Sequence, residues 1–175
     1  MKLKNLIYIS SILLIFFNSD VSKAENIAFI DLNKIFDSSE AGKKIIKQVK
    51  DKQKKNLDEL KKMQKKFDTD KEKIIAQKNV LSEEDFKSKI IKLENDFKEY
   101  NQKVRENNSS LTNFQLKARG EFYNYLTPIL ESYAKENSIS LILKRENILI
   151  GKTNLDISQN ILEIFNKKIK TIKVN

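Results

Sequence analysis

The sequence predicts an α+β fold that is mostly α, a long antiparallel coiled-coil hairpin, or tentacle, on a small β-rich oligomerisation body. Three observations predict it. Two stripes of mostly apolar residues, spaced alternately three and four apart, mirror each other about Ser82. No Gly or Pro interrupts the stretch from Lys43 to Arg119. Short runs with strand character are confined to the two ends of the mature chain.

Taken in order, residues 1–24 read as a signal peptide. Lys2 and Lys4 form a positive start, Leu6 to Phe17 a short apolar run, and Ser22-Lys23-Ala24 supplies small residues at the positions a signal peptidase reads. The run is shorter than the roughly 20 residues a bilayer span needs. Cleavage after Ala24 leaves Glu25 first and places the product in the periplasm of a two-membrane cell. The chain has no cysteine, so neither a disulfide nor a cysteine-linked lipid anchor is available. Removing these residues takes away three lysines and one aspartate and lowers the net charge from +10 to +8. That sign favours acidic partners and excludes a cationic client, although lysines spread along an exposed helix also serve simply as a solvated face.

Ile27 to Ile30 reads as a strand, with Asp31 after it as a turn or cap residue. The arm follows. Its first stripe is Ile46, Val49, Gln53, Asn56, Leu60, Met63, Phe67, Asp70, Ile74, Gln77, and its second is Phe86, Ile90, Leu93, Phe97, Tyr100, Val104, Asn107, Leu111, Phe114, Ala118. Folding back at Ser82 pairs Ile74 with Ile90, Phe67 with Phe97, Leu60 with Val104, Asn56 with Asn107, Val49 with Phe114, and Ile46 with Ala118. A three-four repeat lines one seam of a helix, and seams that match when reversed describe a helical hairpin. At about 1.5 Å per residue, roughly 40 residues a side give an arm on the order of 60 Å.

Ser82 followed by Glu83, Glu84 and Asp85 is a helix start, with an oxygen for orphan amides and acids at the positive end of the dipole. Six acid-to-base pairs four apart, Asp51 and Lys55, Asp58 and Lys62, Glu83 and Lys87, Asp85 and Lys89, Glu94 and Lys98, Glu99 and Lys103, add about 0.2–0.5 kcal/mol each on an isolated helix. The seam is polar for its length: Gln53 faces Leu111, Asp70 sits near Leu93 and Gln77 near Phe86. Such layers fix register in a thin hairpin, or let the arm flex.

Pro128 lies where arm meets body, so a kink or restart is expected near Leu126 and Thr127, with Pro128 the hinge candidate. Ile139 to Leu143 reads as a strand, turns through Arg145 to Asn147, and pairs as a hairpin with Ile148 to Ile150. Asp156 and Ser158 cap a final helix from Ile157 to about Lys170, whose apolar face is Ile161, Leu162, Ile164, Phe165 and Ile169.

The resulting organisation is a body from 25–40 and 128–175 and an arm from 41–127 with its tip near 78–83. A body of about 60 residues without disulfide or metal is marginal alone, and a short sheet has open edges that invite another copy. Sheet-mediated homo-oligomerisation solves both problems, with Ile27, Phe29, Ile139, Leu141, Leu143, Ile148 and Ile150 as the oligomerisation candidates.

With no His and no Cys, the common zinc sites, thiol nucleophiles and Ser-His arrangements are absent. Glu83, Glu84 and Asp85 are accounted for by capping, and the glycines Gly42, Gly120 and Gly151 form no phosphate loop. No catalytic residue, cofactor or metal is expected, and the chain is not expected to be an enzyme. An export signal, with no base-reading or aromatic stacking motif, argues against nucleic acid. The non-catalytic readings left open by these residues include an envelope scaffold or spacer and an anionic lipid-binding protein.

The order of signal peptide, Ile27-Ala28-Phe29-Ile30-Asp31-Leu32-Asn33-Lys34-Ile35-Phe36, long Lys/Glu hairpin, Pro128-Ile129-Leu130, Ile139-Ser140-Leu141-Ile142-Leu143 and Asp156-Ile157-Ser158 resembles the Skp (OmpH) family of periplasmic chaperones. The resemblance implies a homotrimer with a β-rich body and three tentacles around a cavity for unfolded outer-membrane proteins. It implies an ATP-independent holdase that prevents aggregation before membrane insertion. Where the family often has Gly before the second strand, this chain has Asn137-Ser138, and Asn can take the left-handed conformation. Lipopolysaccharide or another anionic lipid is a further partner the family suggests, but none of its proposed lipopolysaccharide-binding residues is carried over onto this arm. The client-contact candidates are Lys65, Lys66, Lys71, Lys73, Lys78, Lys87 and Lys89 for long-range attraction, with Val80 and Leu81 at the tip for short-range contact.

Overall fold

A computed structural model describes residues 26–174. The expected signal peptide over residues 1–24, with cleavage after Ala24, lies outside the described residues. Strand β1 (Asn26–Ile30) leads into a short helix α1 (Leu32–Ser38), then α2 (Glu40–Ala76), α3 (Glu83–Glu136), strand β2 (Ile139–Lys144), two 3₁₀ turns (Arg145–Asn147 and Thr153–Leu155) and α4 (Ser158–Lys168). Helix α2 spans 37 residues, about 55 Å. The chain then turns through Gln77 to Ser82 and returns as α3.

Each start is chemically specified. Asp31 caps α1, its carboxylate accepting the Lys34 N–H at 2.9 Å. Ser39, fully buried, caps α2 by accepting the Gly42 N–H at 3.1 Å. Here α1 and α2 meet so closely that a Cβ on Gly42 would lie 1.7 Å from the Phe36 carbonyl oxygen, which only glycine avoids. Ser82 caps α3 through the Asp85 N–H at 3.1 Å.

The core sits where these elements converge. Phe122 of α3 is fully buried, 4.9 Å edge-on from Phe36 of α1 and 4.7 Å from Phe165 of α4. Ile30, Ile35, Ile45, Ala118, Leu126, Ile129, Ile161 and Ile172 belong to the same buried cluster. The helical face expected for α4 is therefore real at Ile161 and Phe165, with Leu162, Ile164 and Ile169 packed at its margin.

The sheet is two-stranded and parallel, with Ile27 opposite Leu141 and Phe29 opposite Leu143. The expected hairpin from β2 to Ile148–Ile150 does not form: among the described residues Ile148 to Ile150 has no strand partner, and Leu149 is 98% exposed. The 3₁₀ turn at Arg145–Asn147 carries the chain off the edge of β2 instead of reversing it alongside. On its other edge β1 is met by the Asp156 segment, where the Ile157 N–H donates to the Phe29 carbonyl at 3.0 Å.

Helix α1 adds an element to those the sequence predicts. It is only seven residues long, and it buries Ile35 and Phe36 while Asp31 caps it. Three further expectations are corrected. Helix α3 runs through Pro128 as one element of 54 residues, so no restart occurs; Leu126 and Ile129 on either side are buried. Ser138, not Asn137, takes the left-handed conformation, at φ 53°, and its carbonyl accepts from the Asn26 side chain at 3.2 Å. None of the six expected acid-to-base pairs closes among the described residues. Asp51 pairs backwards with Lys47 at 3.1 Å and Lys103 reaches across the seam to Glu59 at 3.1 Å; exposed pairs gain so little over water that neither direction along the helix is strongly preferred.

Candidate functional site

Two surfaces stand out, one along the arm and one on the body. Along the arm, the mirror register holds: the Phe67 and Phe97 rings lie 5.6 Å apart, and the Asn56 side chain donates to the Asn107 carbonyl at 3.4 Å. The seam is thin. Ile74 and Asn107 are its buried members between the root and the tip, and the Asn107 Nδ2, in a residue only 9% exposed, has no hydrogen-bond partner among the described residues. Beside it the bond from Lys103 draws the Glu59 carboxyl below its usual range.

Of the arm lysines, Lys65, Lys71, Lys73, Lys78, Lys87 and Lys89 are exposed, and none closes an ion pair among the described residues. Lys66 is different: it bridges Asp70 at 3.2 Å and Asp96 at 3.3 Å, and these two bonds raise its pKa. Near the tip Lys73, Lys89 and Lys92 rim a cleft of about 220 Å³ with Ile74, Leu93 and Asp96. Val80 is 82% exposed and Leu81 half-buried. Ile75 and Ile91, exposed and apolar on the same outer half of the arm, escape the sequence reading. Both lie one residue beyond a seam position, next to Ile74 and Ile90, and that doubling is the signal that finds them.

On the body, strand alternation sends Ala28 and Ile30 into the core and leaves Ile27, Phe29, Leu141 and Leu143 on the other face of the sheet. Ile27 and Leu141 are exposed, Ile139, Leu143 and Ile148 half-buried, and Ile150 is 90% exposed. Phe29 is buried within the single chain, its ring edge 3.1 Å from where a Cβ on Gly151 would stand. Leu149, absent from the sequence-derived set, is the most exposed large apolar residue of the group.

A polar network ties this face to α4. The Asp31 N–H donates to Ser158 Oγ at 2.8 Å, Asp156 accepts from the Ser158 N–H at 2.9 Å and from its hydroxyl, and Arg145 reaches Asp156 at 3.2 Å. Burial pushes the Asp156 carboxyl up, but the Ser158 bonds and the Arg145 charge outweigh it and leave it lowered overall.

The family profile described as Outer membrane protein (OmpH-like) matches residues 26–165, from β1 into α4. The chain belongs to the OmpH-like family. A solved structure from Caulobacter crescentus CB15, described as a candidate outer membrane chaperone (OmpH-like), shares this OmpH-like fold at a TM-score of 0.80 and 17% identity. The match covers 86% of this chain and 89% of that one. No curated protein matches the sequence.

Proposed function

We propose that this OmpH-like protein is an ATP-independent periplasmic holdase that keeps unfolded outer-membrane proteins apart in a space enclosed by the arms of a homotrimer. The observation that carries the reading is the unfinished body. The outer edge of β2 has no backbone partner among the described residues, and in the segment that follows β2 Leu149 and Ile150 are 98% and 90% exposed. An open strand edge and two such side chains are satisfied most simply by another copy of the chain. Ile27 and Leu141 extend the same apolar face, and joining bodies there leaves the arms projecting from one base.

The arms then supply capture without chemistry. Lys65, Lys71, Lys73, Lys78, Lys87 and Lys89 attract acidic segments from a distance. Val80, Leu81, Ile75 and Ile91 add weak apolar contact close in, and a shallow, distributed surface lets the client leave again. Lys66, already engaged by Asp70 and Asp96, contributes less than its neighbours. The family membership and the likeness to the Caulobacter structure described as a candidate outer membrane chaperone support a chaperone-type role.

The test is the mass of the mature complex in solution with and without an unfolded porin, together with suppression of its aggregation. A trimer that takes up the client and prevents aggregation is expected. Capture should weaken as salt rises, since exposed charges more than about 8 Å apart are screened at physiological ionic strength. A monomer that suppresses no aggregation would overturn the reading.

A further inference from the structure

The OmpH-like match ends at Phe165, yet the residues after it run back over the root of the arm. Asn166 Oδ1 accepts the Glu40 N–H at 2.9 Å, satisfying the first amide of α2. Past the end of α4 at Lys168 the chain crosses between Glu40 and Lys44, which stand four residues apart on one face of α2. Lys170 Nζ meets the Glu40 carboxylate at 2.7 Å. In return, Lys44 Nζ donates to the Lys170 carbonyl at 2.8 Å and to Thr171 Oγ1 at 2.7 Å.

Beyond this crossing Ile172, 1% exposed, joins the core cluster that holds Phe122 and Ile45, and Val174 packs against the same cluster. We propose that residues 169–174 form a strap that locks the root of α2 to the body and so limits how far the arm can swing. The apolar anchor at Ile172 supplies the hold. The bonds to Glu40 and Lys44 set where on α2 it acts, because exposed ion pairs add little by themselves. Those polar bonds reach α2 and not α3, so releasing the strap frees one of the two helices at the arm's root while α3 stays held by Phe122, Leu126 and Ile129.

The test is hydrogen exchange on the full mature chain, on a chain ending at Lys168, and on Lys170→Glu, which sets two acids against each other at Glu40. Truncation should speed exchange of the amides of residues 40–50 by about tenfold or more beyond the common acceleration that loss of Ile172 from the core brings to residues 118–130 and 158–165, and Lys170→Glu should speed residues 40–50 by a smaller factor with those two stretches unchanged. Pairing Lys170→Glu with Glu40→Lys should restore the slow rate. Equal acceleration throughout the body would make the tail ordinary core and overturn the strap, as would unchanged exchange at residues 40–50. Should the truncated chain fail to fold, the Lys170→Glu variant and its Glu40→Lys rescue decide the matter in the same way.

Discussion

The body and the arm share helices and are held by different physics. At the body, Phe122 of α3 lies against both Phe36 of α1 and Phe165 of α4, and the surrounding side chains are almost all fully buried. Along the arm, α2 and α3 touch through a single seam whose members are mostly half-buried and which includes Asn56, Asn107, Asp70 and Gln53. Local stability follows buried apolar contact, so the body is the cooperative unit and the arm its compliant extension. A compliant arm is what the proposed capture of unfolded clients would need.

The largest effect expected from breaking this contrast is at Phe122. Phe122→Ala should cost about 3–5 kcal/mol in denaturant unfolding, and Phe67→Ala, the matching aromatic deletion in the arm, much less. Next is Gly42→Ala, whose methyl has nowhere to go between α1 and α2; a loss of about 3 kcal/mol is expected from overpacking, read as a lowered unfolding midpoint.

Asp156→Asn should cost about 1–2 kcal/mol near neutral pH, through weakened bonds to Ser158 and Arg145. The sign of its pH dependence follows from the lowered pKa. The carboxylate contributes fully above the ordinary aspartate value of 3.8 and loses its contribution as pH falls through the depressed folded value. The stability gap between the parent and Asp156→Asn should therefore close in acid. The smallest effect is expected at Ser138→Gly, which relieves the left-handed strain and gives back part of that gain as backbone entropy, for a net stabilisation of no more than about 1 kcal/mol.

The same contrast explains what is legible in the sequence. The arm is readable because a three-four repeat over many turns is a long-range signal, and the mirror that pairs Phe67 with Phe97 also brings Lys66 beside Asp96 and Glu59 near Lys103. The body is harder. Helix α1 is too short for periodicity to speak, although Asp31 with Leu32, Ile35 and Phe36 carries a cap and a helical face. Ile148-Leu149-Ile150 is an apolar run that reads as a strand only if something pairs with it, and within the described residues of one chain nothing does. The arm lysines are identifiable as residues, but which of them are engaged depends on cross-seam partners.

The most direct test of a rigid body carrying compliant arms is hydrogen exchange of the mature protein, alone and loaded with an unfolded outer-membrane β-barrel protein. Without client, residues 118–130 and 158–165 should exchange only through global unfolding, and residues 56–107 much faster. With client, protection should rise along residues 65–93 and leave the body unchanged. Uniform protection in the free protein, or client protection confined to the body, would contradict the account.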